Sequence, residues 1–315
     1  MTKILSIGSP LTDILIKIDD EKLLSTLHLT KGGMHLVTDE NYRKTLDFIA
    51  PLASEMATGG SAANTALCIS MLHGPAALFG KVNFRDVAGQ NFMKQCKERH
   101  IVTHFVDGER PSGVAITFVT PDGERTFATY LGAASEVKAE ELTPDVFTHA
   151  DIVHIEGYLV ANRPFLLRAY ELAHAAGAKV SLDMASFNLV EAERDFFDKI
   201  LPITDIVFAN EEEAKAWSGK TPRESLDQLA ILCDTAVVKV GAKGAWAKSG
   251  EIVEFCPANK VENVVDTTAA GDFFAGGFLN ALHQGGTLAD ALKCGTYCAS
   301  EVIQVMGTQV AKLHY

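Results

Sequence analysis

The sequence lacks the hallmarks of several protein classes. No apolar run is long enough to span a membrane, and 28 Lys and Arg against 40 Asp and Glu give a formal net charge of −12. That charge repels phosphate backbones and anionic lipid, so neither nucleic acid nor a membrane surface is an expected partner. The first residues break at Gly8 and Pro10 and carry charge soon after, without a signal-peptide core, which predicts a cytoplasmic protein.

Cysteine and histidine patterns exclude other chemistries. The six cysteines show no C-x-x-C spacing, so they are expected to be reduced and mostly buried. Cys294 and Cys298 lie four apart on a predicted helix, where core packing is favoured over metal binding. Neither H-E-x-x-H nor G-x-S-x-G occurs, which leaves no basis for a zinc protease or an acyl-transfer triad. His149 and His154 are expected to be structural.

The pattern of apolar segments predicts the fold class. A chain of 315 residues with 47% hydrophobic and 22% charged residues can bury a large core, and no linker divides it, so a single α/β domain is expected over residues 1–315. Nearly continuous apolar segments predict strands that are covered on both faces. These segments are 3–7, 76–79, 152–155, 179–182, 206–208 and 236–240. Amphipathic helices at 164–176 and 211–217 complete a doubly wound, mostly parallel sheet flanked by helices.

Three stretches do not follow this alternation and predict strands outside the main sheet. They are 11–18, 32–38 and 113–131, the last folded as a hairpin about a Pro-Asp-Gly turn at 121–123.

The run Asp-Thr-Thr-Ala-Ala-Gly-Asp at 266–272 is the most informative segment. It lies between an apolar segment at 261–265, predicted as a strand, and a helical pattern. Small residues in the turn would let backbone N–H groups converge at the positive end of the helix, where phosphate is favoured. A carboxylate beside that site, Asp272, can take the proton from an attacking hydroxyl. Helix capping by Asp272 is the simpler alternative.

A second motif upstream supports the functional alternative. Gly59 and Gly60 would let backbone approach a ligand, and Asn64 offers both a donor and an acceptor. Asp13, after the first strand, is placed to accept hydrogen bonds from two sugar hydroxyls. Each also has a structural alternative, as a Gly-rich turn before a helix and a solvated turn Asp.

Together these motifs resemble the ribokinase-like (PfkB) family of carbohydrate and nucleoside kinases over essentially the whole chain. Five landmarks carry the resemblance in the family's order: 4–13, 59–65, 210–213, 239–244 and 266–272. The form of the second landmark is more similar to nucleoside kinases, in the style of adenosine kinases, than to ribokinases proper. In this family the strands outside the main sheet form a small β lid over the sugar pocket.

The resemblance implies a role for each matching residue. Asp272 would be the base, the turn Ala269, Ala270 and Gly271 would stabilise the transferring phosphoryl group, and Asp13, Gly59, Gly60 and Asn64 would bind the sugar. Lys239, Gly241 and Gly244 would bind ATP, and Asn210 with Glu213 would order water on Mg²⁺. The acidic run after Asn210 equally matches helix-dipole compensation, and the glycines match an ordinary turn. The resemblance leaves open a monovalent cation such as K⁺ and a homodimer through the lid strands.

Departures from the family pattern bear on the substrate. Ala269 stands where the family commonly has Gly, which is tolerable if its φ is negative. The expected activity is transfer from ATP to a primary hydroxyl of a nucleoside, with adenosine favoured; a sugar kinase and a catalytically silent ligand-binding member are the alternatives. Aromatic side chains such as Phe118, Phe127 or Tyr130 facing the substrate would favour a nucleobase, whereas Arg or Lys there would favour an acidic sugar.

Overall fold

The computed structural model describes residues 3–49, 55–121 and 124–315. The strands are β1 Lys3–Ile7, β2 Leu11–Lys17, β3 Met34–Leu36, β4 Glu55–Gly59, β5 Ala76–Val82, β6 Val102–Asp107, β7 Gly113–Val119, β8 Arg125–Tyr130, β9 Ala150–Glu156, β10 Lys179–Asp183, β11 Ile206–Asn210, β12 Thr235–Lys239, β13 Ala245–Ser249 and β14 Ile252–Cys256. The helices are α1 Lys22–Thr26, α2 Asp39–Ile49, α3 Ser61–Met71, α4 Val87–Glu98, α5 Arg163–Ala175, α6 Phe187–Ala192, α7 Arg194–Ile200, α8 Glu211–Ser218, α9 Pro222–Leu232, α10 Ala270–His283 and α11 Leu288–Val302.

A large sheet forms the centre of the fold. Within the described ranges its nine strands run in the order β14-β13-β12-β11-β10-β9-β1-β5-β6, parallel except for the antiparallel pairs that β13 makes with its two neighbours. Successive residues of β1 enter opposite apolar layers, Ile4 with α3, α10 and α11, and Leu5 with α5 and α9. Helices therefore cover both faces, which confirms the predicted doubly wound α/β fold and explains the nearly continuous apolar character of the strands.

A smaller sheet stands apart from the large one. Its described strands have the order β3-β8-β7-β2-β4, so the predicted extra strands are present and β4 adds one that the sequence analysis missed. One face packs on α1 and α2 through a separate apolar cluster that includes Ile14 and Phe118. The opposite face carries Asp13, because side chains alternate along a strand. Asp122 and Gly123 of the predicted hairpin turn lie outside the described residues.

The predicted strand at 261–265 is wrong. This segment joins neither sheet, and the N–H groups of Val265 and of the following Asp266 donate to the carbonyl of Ile303 at the end of α11. Val264 and Val265 are 54% and 40% exposed. The apolar character of the segment therefore reflects partial packing of a loop rather than a buried strand.

The cysteines are placed as the sequence predicts. All six cysteines are free thiols, and all but Cys256 are buried, which confirms a packing role for Cys294 and Cys298. Across residues 3–49, 55–121 and 124–315, no helix has the length and apolar content needed to cross a membrane.

Candidate active site

Polar and charged residues collect at the carboxyl edge of the large sheet. Glu156 ends β9 beside Asp183 at the end of β10, and Asn210 ends β11 beside Lys239 at the end of β12. The chain order reverses between β1 and its neighbours β5 and β9, so this edge includes the topological switch point of the sheet. Ligands bind at that position in open α/β sheets.

Asp272 lies in the first turn of α10 and is held by the start of α3. Ser61 Oγ donates to Asp272 Oδ1 at 2.7 Å, and Asn64 Nδ2 donates to Oδ2 at 2.9 Å. Thr65 Oγ1 also donates to the main-chain oxygen of Asp272 at 3.2 Å. Two motifs about 200 residues apart in sequence therefore meet as the sequence analysis requires, with Asn64 bound to the carboxylate.

Two opposing effects set the charge of this carboxylate. Burial raises the pKa of Asp272 to about 6, while the hydrogen bonds from Asn64 and Ser61 lower it. Asp183 raises the pKa of Asp272 further and Lys239 lowers it. The pKa of this carboxylate thus lies close to neutral pH, which suits a general base.

Asp13 and the two glycines form one close-packed corner. A Cβ atom on Gly59 would lie 2.3 Å from the carboxyl atoms of Asp13, and one on Gly60 would lie 2.2 Å from the carbonyl oxygen of Ser9. Gly60 also has φ +90°, a conformation that favours glycine. Burial and the charge of Asp272 raise the pKa of Asp13 to about 7.

Lys239 lies beside the turn that precedes Asp272. Its Nζ is 2.9 Å from Asp183 Oδ2, and a Cβ on Gly271 would lie 3.1 Å from the same nitrogen. Burial lowers the pKa of Lys239, but the carboxylates of Asp183 and Glu213 outweigh it and the net shift is upward. The side chain is therefore a fixed positive charge next to the predicted anion site.

The Asn210–Glu213 pair caps α8. Asn210 Oδ1 accepts from the N–H groups of Glu212 and Glu213, and Glu213 Oε2 accepts from the Asn210 N–H at 2.7 Å. Asn210 Nδ2 also donates to Glu213 Oε1 at 2.7 Å. The capping alternative accounts for these bonds. Burial and the charge of Asp183 nevertheless raise the pKa of Glu213 to about 7, which places this carboxylate near the charged cluster.

The carboxylates at this site could hold Mg²⁺ only through water molecules that the ion keeps. Among the described residues no three His, Cys, Asp or Glu side chains are grouped so that they could hold a metal ion. Mg²⁺ commonly keeps several waters and takes one or two carboxylates together with substrate phosphates. Glu213 is an oxygen ligand of the required kind.

The two glycines after β12 have different surroundings. Gly241, at φ +57°, has open space on its Cα apart from Glu211 Oε1 at 3.9 Å. A Cβ on Gly244 would lie 2.1 Å from the carbonyl oxygen of Cys256, so β14 packing alone requires glycine there. The structural alternative accounts for Gly244, while Gly241 leaves room for a ligand.

Ala269 adopts the conformation that the sequence analysis named as unfavourable. Its φ is +61°, in the left-handed region. An L-residue with a Cβ there costs roughly 1–2 kcal/mol relative to the right-handed region. The turn that precedes Asp272 thus carries local strain, and Gly at this position would relieve it.

Glu156 was missed by the sequence analysis. It is 2% exposed, and its carboxylate accepts from the N–H groups of Ser9 at 2.8 Å and Ala62 at 3.2 Å. A Cβ on Gly8 would lie 2.2 Å from Glu156 Oε2. Burial raises the pKa of Glu156 to about 7 although these bonds lower it. A glutamate directly after the mostly apolar segment 152–155 was the available signal.

The three aromatic residues named from the sequence lie on opposite faces of the small sheet. Phe118 is fully buried in the cluster beneath α2, and Tyr130 stacks on Tyr42 there with centroids 4.1 Å apart, so neither faces Asp13. Phe127 pairs with Thr117 on the Asp13 face. Of the three aromatic residues proposed from the sequence, Phe127 alone has the required direction.

Residues of the Asp13 face contribute to the lining of two cavities in the described part of the chain. A narrow one of about 40 Å³ is lined by Asp13 on one side and by Asp266 and Thr268 on the other, so this face is turned towards the segment before Asp272. A larger one of about 550 Å³ lies at the ends of β3 and β8. Its lining residues are Leu36, Val37, Thr38, Asp39, Glu40, Arg110, Thr129, Tyr130, Leu131, Gly132 and Ser135.

Known proteins are similar to this chain in sequence and in fold. The model of the pfkB family carbohydrate kinases matches residues 47–314. Adenosine kinase 2 of Arabidopsis thaliana is 27% identical over 96% of this chain and 94% of its own length, and ribokinase of Staphylococcus aureus is 29% identical over 80% and 84%. The crystal structure of adenosine kinase from Sinorhizobium meliloti superposes with a TM-score of 0.87 at 33% identity, covering 97% of this chain and 95% of that one.

These matches agree with the geometry of the site. The fold is that of an adenosine kinase structure over nearly the whole chain, and the family match includes every motif from α2 to α11. The sequence motifs, the doubly wound sheet and the relatives therefore identify the chain as an ATP-dependent phosphotransferase that belongs to the pfkB family of carbohydrate kinases.

Proposed function

We propose that this kinase transfers the γ-phosphoryl group of ATP to the primary hydroxyl of a ribose-containing nucleoside of the adenosine type. One observation carries the proposal: the Asp272 carboxylate stands in the first turn of α10 and is aligned there by hydrogen bonds from Ser61 and Asn64. A base beside a phosphate-binding helix end suits a hydroxyl acceptor.

Each part of the site then has a chemical task. Asp272 takes the proton of the hydroxyl as its oxygen attacks phosphorus. The N–H groups of Ala269, Ala270 and Gly271 and the charge of Lys239 stabilise the negative charge on the transferring group.

Asp13 and Asn64 orient the ribose through hydrogen bonds to its hydroxyls, beside the close-packed Gly59 and Gly60. Asn64 also donates to the carboxylate of Asp272 and so aligns the general base. Gly241 and Gly244 form the turn along the nucleotide phosphates. The small sheet acts as a lid over the sugar that limits hydrolysis of ATP by excluding water, and residues 1–315 form one domain with that lid.

Asn210 and Glu213 are proposed to order water on Mg²⁺. When bound, the ion supplies charge neutralisation on the β- and γ-phosphates.

The larger cavity favours a nucleoside over an acidic sugar. Leu36 and Thr129, which line it, belong to the same row across the small sheet as Asp13, and its volume of about 550 Å³ provides room for a base. Arg110 lines it, but Asp39 lies within 3.4 Å of Arg110 and Glu40 adds a second carboxylate, so the cavity carries no net positive charge. Adenosine kinases among the relatives agree with this choice.

A coupled ADP-release screen with Mg-ATP across nucleosides and sugars tests the proposal. We expect the highest kcat/KM with adenosine. Turnover confined to ribose, fructose or a sugar acid would make the chain a sugar kinase and overturn the substrate assignment. Calorimetric binding of adenosine and ATP without any product would identify a catalytically silent member and overturn the activity.

Three finer points complete the proposal. A monovalent cation such as K⁺ supports activity near Asp266, whose carboxylate accepts from the N–H groups of Thr268 and Gly307 and so joins the catalytic turn to the segment after α11. The chain pairs as a homodimer through the lid strands, and it acts in the cytoplasm. Replacing K⁺ by choline in the assay and measuring mass by light scattering test the first two.

A further inference from the structure

A short turn after α11 lies against the candidate site without a role in the proposed transfer step. Residues 306–309 form it: the N–H of its last residue donates to the carbonyl of its first at 3.2 Å, and Gly307 has φ +56°. We propose that this turn is a positioning element that joins the small sheet to the segment before Asp272 and forms the wall of the acceptor site opposite Asp13. The inference rests on the proposed function, because it takes Asp13 as the place where the acceptor binds.

One side of the 306–309 turn is bonded to the small sheet. Thr308 is 5% exposed, and its Oγ1 donates to the carbonyl oxygen of Thr58 at 3.4 Å. The Thr58 N–H donates to Oε1 of Gln95 on α4 at 3.3 Å, so side chains from outside the small sheet bond both main-chain groups of this residue. Thr58 lies on the edge strand β4, directly before Gly59 and Gly60. These bonds hold the chain where it leaves the small sheet for the start of α3.

The other side of the turn is bonded to the segment that leads into α10. The Gly307 N–H donates to Asp266 Oδ2 at 2.7 Å, and the Thr268 N–H donates to Oδ1 of the same carboxylate at 2.8 Å. Asp266 is 4% exposed, so both bonds are shielded from water. The helix α10, which carries Asp272 in its first turn, begins two residues after Thr268. The turn therefore contacts the stretch of chain before α3 and the stretch before α10.

These two stretches meet at the carboxylate of Asp272. Ser61 and Asn64 at the start of α3 donate to it across the gap between the two helices. Misplacing a catalytic group by about 1 Å can cost roughly 10²-fold in rate. An element that ties both helix starts to one turn therefore acts on the alignment of the base without touching it.

The same turn faces the acceptor side of the small sheet. One wall of the narrow cavity of about 40 Å³ belongs to the Asp13 face, and the opposite wall belongs to the segment before α10 and to the turn. The lining residues are Asp13, Leu15, Ala57 and Thr117 on the first wall and Asp266, Thr268, Met306, Gly307 and Gln309 on the second. The volume is close to the share of one molecule in liquid water, about 30 Å³. An acceptor bound at Asp13 would therefore contact the turn as well as the small sheet.

A purely structural role for the turn makes a different prediction. Val310 and Leu313, which are 5% and 4% exposed, anchor the following residues in the apolar layer of α10 and α11. A turn that only led the chain into this layer would affect the free energy of unfolding and leave the kinetics unchanged. The kinetic constants for the acceptor separate the two roles.

The main test removes the Thr308 hydroxyl and keeps the shape of the side chain. Kinetics are measured at one fixed KCl concentration with the nucleoside or sugar that the wild type phosphorylates with the highest kcat/KM. In Thr308→Val we expect kcat to fall roughly fivefold and KM for the acceptor to rise, with KM for ATP unchanged, since the turn no longer holds β4. Thr308→Ser keeps the hydroxyl and should restore both constants. The matched control is Thr45→Val on α2, because the buried Thr45 hydroxyl donates to the carbonyl of Asn41 within the same helix.

A second variant tests the cavity wall without changing a hydrogen bond. Met306 supplies the apolar side chain of the second wall. In Met306→Ala we expect KM for the acceptor to rise by about threefold or more at a nearly unchanged kcat, because an apolar contact made in both the ground state and the transition state is lost. Met93→Ala is the control, since Met93 is a half-buried methionine on α4 that does not line the cavity.

The outcomes separate this inference from the function on which it rests. A reduced kcat and a raised acceptor KM in Thr308→Val, restored in Thr308→Ser and absent in Thr45→Val, support the positioning role. Wild-type kinetics in Thr308→Val, no restoration in Thr308→Ser, or an equal loss in Thr45→Val overturns that role while the kinase activity stands. An unchanged acceptor KM in Met306→Ala removes the turn from the acceptor site. A wild type that phosphorylates no nucleoside or sugar overturns the proposed function and this inference with it.

Discussion

The candidate site has two halves, one around Asp272 and one around the Asn210–Glu213 pair. They differ in where the hydrogen-bond partners of their polar groups come from. Asp272 receives its side-chain hydrogen bonds from Ser61 and Asn64, about 200 residues away in the chain. Glu213 receives its hydrogen bonds from Asn210, three residues away, in an arrangement that caps many helices. Long-range bonds to a partly buried carboxylate require an explanation beyond local folding, whereas the capping box does not. The Asp272 half is therefore the stronger support for catalysis.

The largest expected effect is on the Asp272 side. Asp272→Asn removes the base but keeps the shape, so kcat should fall by about 10²–10⁴-fold while ATP still binds. Steady-state kinetics and ATP titration measure the two effects. A near-normal kcat would remove Asp272 from this role.

Glu156 connects the same half to the large sheet. Glu156→Gln replaces one acceptor oxygen by an amide donor facing an N–H group, so the Ser9 loop or the start of α3 must shift. Because that shift misaligns Ser61 and Asn64, we expect kcat to fall by about tenfold, with a smaller change in KM for ATP. An unaltered kcat and pH profile would show that Glu156 has no positioning role.

The capping half should respond differently. Asn210→Ala loses the cap of α8, and the free energy of unfolding should decrease by about 1 kcal/mol. If Asn210 also orders water on Mg²⁺, the Mg²⁺ concentration for half-maximal rate rises several-fold. Thr287→Ala is the matched control, because Thr287 forms the capping box of α11. Equal Mg²⁺ dependence in both variants would leave Asn210 a cap alone.

The smallest effect concerns the strained turn. Ala269→Gly removes a Cβ at φ +61° and should raise the free energy of unfolding by about 0.5–1 kcal/mol. Ala185→Gly, at φ +66°, should give a similar gain in denaturant titrations and so controls for strain alone. A lower free energy of unfolding for Ala269→Gly than for the wild type would contradict the assignment of backbone strain to Ala269.

The sequence predicted the elements better than it predicted their contacts. Strands such as β1 and β12 were recognisable because both faces are buried and most of their residues are apolar. The segment at 261–265 has the same apolar character and is a loop, since composition does not show which neighbours a strand will have. The positive φ of Ala269 likewise could not be predicted from the sequence, because the family pattern specifies a residue type and not a dihedral angle.

Glu156 and the cavity show the same limit for the site. Glu156 acts on the backbone of Ser9 and Ala62, and no local motif indicates a carboxylate that reaches two main-chain groups from other segments. Asp39 and Arg110 are 71 residues apart and meet through the order of strands in the small sheet. Motifs with family spacing were predictable, while side chains brought together by topology were not.

The most direct test of the account is the pH dependence of kcat/KM for adenosine in the wild type and in Ser61→Ala. The folded-state pKa of Asp272 is raised to about 6, so the base is protonated below that pH and kcat/KM should fall as pH decreases through it. The Ser61 bond lowers this pKa, and its loss should move the acid limb to higher pH. An acid limb that is absent near pH 6, or that stays in place in Ser61→Ala, would contradict the assignment of Asp272 as the base.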